Sequence, residues 1–408
     1  MKITGIETIR PARGSALPIL LFVRIHTDEG IVGLGETAYV PEACAAVVHS
    51  DLASDLIGED PLDIERHWDR YYGTYSRMGA NAGAEIRALS AIDVALWDIL
   101  GQAAGLPIWA VLGGKCRDRQ PTYNTCAGPG YTDENGPVRP GVRPRSLKKT
   151  PEAERYDDLD WFLRDAGSLA EDLLSEGLTA MKLWPFDAAA KRHGGLRIEQ
   201  DDLRAALEPL RKIREAVGDR MRIMIEGHGL WQPEAALRVA RALEEYDVFW
   251  AEDLIVAHDP AELATLRSKT TVPLCASEHL TASHAYKRLL EADAADFVMI
   301  DPTWTGGITE SRKIASLAHA YGRPVTYHDC TGPVTYMAGV HLSLSQPNAV
   351  YQESVRGQIH TAYRECVTAL PPIVDGEICP PERPGLGIEL KADWLQLPHT
   401  IVTSGAIG

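Results

Sequence analysis

What this chain of 408 residues lacks narrows it first. Its seven cysteines, Cys44, Cys116, Cys126, Cys275, Cys330, Cys366 and Cys379, include no C-x-x-C pair, and their number is odd. That argues against a disulfide framework or a zinc knuckle and for reduced thiols in a cytoplasmic protein. The opening MKITGIETIR has no apolar core of the kind a signal peptide needs. No apolar run approaches the roughly 18 residues of a membrane span, so no membrane partner is expected. Positive charge is in short supply: 41 Lys and Arg stand against 57 Asp and Glu, a net charge of −16. Such a field repels phosphate backbones, so no nucleic-acid partner is expected either. It still admits an acidic substrate where a metal ion reverses the local charge.

The length suits a barrel plus a smaller domain, and an apolar fraction of 45% is ordinary for a globular protein. The first part reads as α+β. Leu20 to His26 alternates like a strand, Thr27-Asp28-Glu29-Gly30 turns, and Ile31 to Glu36 resumes extended structure. Glu85 to Gly101 carries an apolar helical face of Ile86, Leu89, Ile92, Val94, Leu96, Trp97 and Leu100. From Pro121 the rhythm changes. Eight short apolar segments, Thr122–Cys126, Ala180–Trp184, Arg222–Glu226, Val248–Glu252, Pro273–Ser277, Phe297–Asp301, Pro324–His328 and Ala349–Glu353, alternate with amphipathic stretches such as 201–216, 233–246 and 308–321. This is the pattern of a (β/α)₈ barrel of the TIM type. The expected organisation is an α+β capping domain over 1–120, the barrel over 121–369, and a segment 370–408 that packs back on the cap. Gly128 to Arg155 is a long polar insertion after the first barrel strand. It is read as a tolerated surface loop, with a lid or a subunit contact as the alternative.

The main chemical signal is positional. Three successive barrel strands lead to Glu226, Glu252 and Glu278, spaced 26 residues apart. Neighbouring strands lie about 4.8 Å apart, so these side chains converge at one end of the barrel. Helix capping explains one such glutamate easily but three in a row poorly. Carboxylates that close repel unless a cation neutralises them, and an all-oxygen set with room for water and substrate suits Mg²⁺. Strand six ends on Asp301 and strand seven on His328, where a carboxylate can orient an imidazole. Strand eight ends on Glu353, and His228 follows the first glutamate by two residues.

Beyond this pattern, the chain resembles the enolase superfamily, in its mandelate racemase subgroup, over nearly its whole length. The resemblance is carried by His26–Thr37 (HTDEGIVGLGET), Ala91–Gly101 (AIDVALWDILG) with Leu106–Gly114 (LPIWAVLGG), Asp301–Glu310 (DPTWTGGITE) and Pro384–Ile388 (PGLGI). It implies metal ligation by Glu226, Glu252 and Glu278, a His328–Asp301 dyad, and a carboxylate-binding role for Glu353. His228 is similar to the extra histidine of galactonate-type dehydratases, where it serves as general acid. Racemase-like members carry K-x-K on strand two. Here Lys182 keeps the first position and Trp184 replaces the second, so that face of the substrate lacks its usual base. Strand four reads Glu252-Asp253-Leu254 instead of E-E-P, which leaves Asp253 as a further acidic group at the site.

The resemblance implies a Mg²⁺-dependent dehydratase of a small sugar acid, an aldonate or aldarate. His328 takes the α-proton, Glu353 and Lys182 hold the substrate carboxylate, His228 protonates the leaving β-hydroxyl, and a 2-keto-3-deoxy acid results. Arg13 to Pro18 and Tyr71 to Asn81 resemble the family's specificity loops, with Tyr71, Tyr72, Tyr75, Arg77 and Asn81 as candidate hydroxyl ligands. Trp184, Trp231 and Trp304 are candidate cavity walls. A homo-oligomer is expected. The alternatives are an epimerase or racemase, a lactone cycloisomerase, or a non-catalytic sugar-acid binding protein.

Overall fold

The computed structural model describes residues 1–12, 17–80, 82–129 and 150–407. Three strands open the chain: β1 (Ile3–Arg10), β2 (Leu20–Thr27) and β3 (Val32–Ala38). Eight more follow: β4 (Gln120–Thr125), β5 (Ala180–Leu183), β6 (Arg222–Glu226), β7 (Trp250–Glu252), β8 (Leu274–Ala276), β9 (Phe297–Ile300), β10 (Val325–Tyr327) and β11 (Ala349–Ser354). A small hairpin, β12 (Ile373–Val374) and β13 (Glu377–Ile378), precedes β14 (Thr400–Gly405).

β4 to β11 pair in sequence order as parallel strands, and β11 returns to β4 through Gln352↔Thr122, Glu353↔Tyr123 and Ser354↔Asn124. The ring is therefore closed, an eight-stranded barrel. The segments read from the sequence fall on these strands, with ends shifted by a residue or two. β12 and β13 lie outside the ring, against the start of β4.

β1, β2, β3 and β14 form a separate antiparallel sheet in the order β14-β1-β2-β3. The helix Ala84–Ala104 lies against it, and Gly33 and Gly35 permit the close approach. A Cβ on Gly35 would meet the Ala91 carbonyl oxygen at 1.9 Å, and one on Gly33 that of Ala95 at 2.1 Å. The helix ends on Gly105, in the left-handed conformation that closes a helix without strain. Asp98 on this helix accepts hydrogen bonds from the amides of Leu34 (2.9 Å) and Leu386 (2.8 Å), tying hairpin, helix and C-terminal return together.

Period-two alternation organises the barrel interior. Tyr123, Ala180, Met224, Trp250, Cys275, Met299 and Tyr351 fill one buried layer, each from a different strand. Two residues further along come Thr125, Lys182, Glu226, Glu252, Asp301 and Glu353. The layer below is packed side chain, so these polar groups gather at the C-terminal mouth, where such barrels bind ligands. Residues 130–149 of the polar insertion lie outside the described residues. No helix among the described residues is long and apolar enough to cross a membrane.

Candidate active site

Glu226 and Glu252 are register partners on β6 and β7, and Glu278 follows β8. One oxygen from each lies within 4.8 Å of the others, and all three residues are buried. Lys182 offsets part of their charge. Its Nζ lies 2.9 Å from Glu252 Oε1, 3.4 Å from Glu226 Oε2 and 3.0 Å from Glu353 Oε1. Burial works against the ammonium, yet Glu252 and Glu353 hold its pKa well above the usual value. Burial, with Glu226 and Glu278 beside it, pushes the Glu252 carboxyl well up despite the lysine. Burial also opposes the Glu278 charge, but His279, His328 and Lys182 hold its pKa below the ordinary range.

One ammonium among four carboxylates leaves the cluster negative. Glu278 Oε2 is also buried with no hydrogen-bond partner among the described residues. A hard divalent cation with oxygen ligands fits both facts. Oxygens of Asp253 and Glu278 and a nitrogen of His279 form a second group with the same mutual reach. Asp253 accepts the Ser277 hydroxyl at 2.6 Å, so the acidic region extends past the trio.

His328 follows β10, and its Nδ1 donates to Asp301 Oδ2 at 2.7 Å. The other Asp301 oxygen accepts from the Thr303 amide (2.7 Å) and hydroxyl (2.9 Å), which fixes the carboxylate. With Nδ1 engaged, Nε2 is the nitrogen that can exchange a proton with substrate; it stands 4.0 Å from Glu353 Oε2. Burial alone would depress this imidazole, but Glu353, Asp301 and Glu278 raise it to about 9. Glu353 accepts from the Asp329 amide at 3.0 Å and from the Thr125 hydroxyl. The Trp304 ring lies 5.1 Å from that of His328 and stacks on His279 at 5.5 Å, while Arg87 from the cap covers it at 4.3 Å.

His228 stands past β6. Its amide donates to Glu226 Oε1 at 2.6 Å, and its φ of 49° puts a non-glycine residue in the left-handed region. Its ring meets Asp187 Oδ2 through Nδ1 at 3.0 Å and the edge of Trp184 at 5.9 Å. Burial opposes the charge of this imidazole, but Asp187 and Glu226 raise it to about 9. In a closed ring of eight, β6 and β10 are diametrically opposed, so His228 and His328 approach the mouth from opposite sides.

The structure thus gathers Glu226, Glu252, Glu278, Lys182, Asp301, His328, Glu353, His228, Trp184 and Trp304 at one mouth. The cap residues sit differently. Tyr75 is 4% exposed and its hydroxyl is enclosed in protein. It belongs with Ile64, Trp68, Tyr71 and Tyr72 to the buried stripe of the helix Ile64–Arg77. The Tyr71 hydroxyl donates to the Leu52 carbonyl. Arg77 is exposed, and among the described residues its side-chain hydrogen bond is to Thr74 on its own helix (3.4 Å). Trp231 is 1% exposed. Arg13 and Asn81 lie outside the described residues. Thr125, Arg87 and Asp187 escaped the sequence reading. Thr125 shares the period-two layer and was legible in principle; Asp187 opens a short helix after a turn whose path no periodicity signals.

Residues 165–394 match the family model "Enolase C-terminal domain-like", and residues 12–113 match "Mandelate racemase / muconate lactonizing enzyme, N-terminal domain". A D-galactonate dehydratase of Xanthomonas oryzae pv. oryzae is 32% identical over 97% of this chain and 94% of its own length. A D-xylonate dehydratase of Haloferax volcanii is 30% identical over 92% of this chain and 84% of its own. The crystal structure of an enolase of the mandelate racemase subgroup from Agrobacterium tumefaciens is 42% identical, with a TM-score of 0.86, covering 100% of this chain and 99% of that one. Matches of this breadth, over barrel and cap alike, make the chain a member of the mandelate racemase and muconate lactonizing enzyme family within the enolase superfamily.

Proposed function

We propose that this protein is a Mg²⁺-dependent hydro-lyase that converts an aldonate or aldarate into a 2-keto-3-deoxy acid. The observation that carries this reading is the pair of opposed histidines flanking one acidic cluster. The relatives named for D-galactonate and D-xylonate supply the substrate class.

Glu226, Glu252 and Glu278 would hold the cation, which supplies positive charge to the substrate carboxylate and offsets the charge that builds as the α-proton leaves. Lys182 adds a fixed positive charge beside them. His328, oriented by Asp301, accepts the α-proton at Nε2 in its neutral form, which a cation held by Glu278 would favour by offsetting part of the negative charge that raises this imidazole. Glu353, held by Thr125 and Asp329, lies within reach of the same carboxylate. His228 gives a proton to the β-hydroxyl from the other side, so the leaving group departs as water instead of hydroxide. The polar side chains are buried at a mouth backed by Trp304 and Trp184, which limits competition from bulk water.

Opposed histidines also suit a 1,1-proton transfer, which makes an epimerase the second reading. A screen of aldonic and aldaric acids with Mg²⁺ in D₂O separates the two. Dehydration releases a keto acid that semicarbazide traps. Epimerisation only places deuterium at C2 and inverts it. Absence of keto acid across the screen would sink the dehydratase reading.

A further inference from the structure

We propose that Asp187 is a positioning residue for proton donation by His228, the counterpart of Asp301 behind His328. This rests on the reading of His228 as the proton donor.

Asp187 opens the helix Asp187–His193, just past β5 and the turn Trp184-Pro185-Phe186. It is 2% exposed. Its Oδ2 accepts from His228 Nδ1 at 3.0 Å. Oδ1 is buried with no hydrogen-bond partner among the described residues. Lys191 Nζ lies 3.6 Å from Oδ2, beyond hydrogen-bond distance. A buried carboxylate retained for packing normally has both oxygens satisfied, because each orphan costs desolvation without return. Among the described residues, the one hydrogen bond that the Asp187 side chain makes is to the histidine. The Trp184 edge, 5.9 Å from that ring at an interplanar angle of 71°, limits the ring's rotation.

His228 and His328 are thus each held through Nδ1 by a buried aspartate from a neighbouring strand end. With Nδ1–H committed to Asp187, Nε2 is the nitrogen that donates. In the step served, the Nε2–H proton moves to the β-hydroxyl, the C3–O bond breaks with its electron pair leaving on the water formed, and the C2–C3 double bond takes the pair left by the α-proton. His228 regains its proton from solvent.

The test uses D187A, D187N, H228A and the D187A/H228A double variant. The probe is D-galactonate with Mg²⁺ in D₂O, or the acid the wild type dehydrates fastest in the screen. Keto-acid release reports donation to the leaving group; deuterium incorporation at C2 of recovered substrate reports proton removal by His328. We expect D187A to slow release about 100-fold while exchange stays within about threefold. H228A should show the same split, and the double variant should be no slower than H228A, since residues acting as one unit are not additive. If D187A does not fold, D187N, which keeps the shape and loses the charge, is read by the same split. Release within about threefold of wild type, parallel loss of release and exchange, or additive losses in the double variant would each overturn the proposal. The wild-type release rate tests the underlying reading separately.

Discussion

Lys182 and Glu353 face each other at 3.0 Å from β5 and β11, with β4 between them. The same ammonium touches Glu252 at 2.9 Å. It therefore joins the acidic trio proposed to hold the cation to the residue proposed to meet the substrate carboxylate. Removing it strands buried negative charge. Lys182→Met should lose about 3 kcal/mol of stability in metal-free buffer. Mg²⁺ should restore more stability to the variant than it adds to the wild type. Urea unfolding with and without Mg²⁺ reads both effects, and equal midpoints for the two proteins would contradict the electrostatic role.

His328→Asn should abolish both keto-acid release and C2 exchange, each by about 10³-fold. The asparagine keeps a polar contact to Asp301 but has no nitrogen that can accept the proton. A variant that still exchanged deuterium at C2 would place the base elsewhere.

Chelation should remove activity, and added Mg²⁺ should restore it. Glu278→Gln takes a charge from the trio while keeping its shape, so half-maximal activity should require at least about tenfold more Mg²⁺. Activity that survives exhaustive chelation would count against the metal reading.

His341 offers a pH test away from the mouth. It is buried on the helix Pro333–Ser345, where Nδ1 accepts from the Trp109 amide (3.2 Å) and Nε2 donates to the Leu386 carbonyl (3.1 Å). The first bond requires the neutral ring, because a protonated Nδ1 cannot accept from the Trp109 amide; the bond to Leu386 survives protonation. Burial drops its pKa from 6.5 to about 4. Between those values the unfolded chain binds the extra proton and the folded chain does not. The stability contribution is therefore complete above pH 6.5 and is lost as pH falls toward 4, by roughly 3 kcal/mol at most. His341→Gln should flatten this component of the pH–stability curve. Parallel curves for wild type and variant would rule it out.

The barrel and its acidic trio were legible because both follow a fixed period. Side chains two residues apart share a face, and βα units of similar length bring Glu226, Glu252 and Glu278 to one level. Asp301, His328 and Glu353 follow by the same rule. Tyr75 shows where loop resemblance misleads. The helical spacing of Ile64, Trp68, Tyr71, Tyr72 and Tyr75 marks a core stripe, and the structure places these residues there. Asp187 was hidden because an irregular turn separates it from β5. β1 and β14 were not read as partners, because nothing local in either segment names the other.

That last pairing has a consequence for synthesis. Arg10 and Thr400, hydrogen-bonded neighbours across the sheet, are 390 residues apart. On the ribosome β1 emerges early, pairs with β2, and keeps its other edge open until nearly the whole chain has been made. An open edge of that kind invites pairing with other chains, and closing so distant a contact is slow. The barrel can assemble first, but the sheet above it is completed only after translation has passed Thr400, so an interrupted chain is left with a sticky edge where its lid should be sealed.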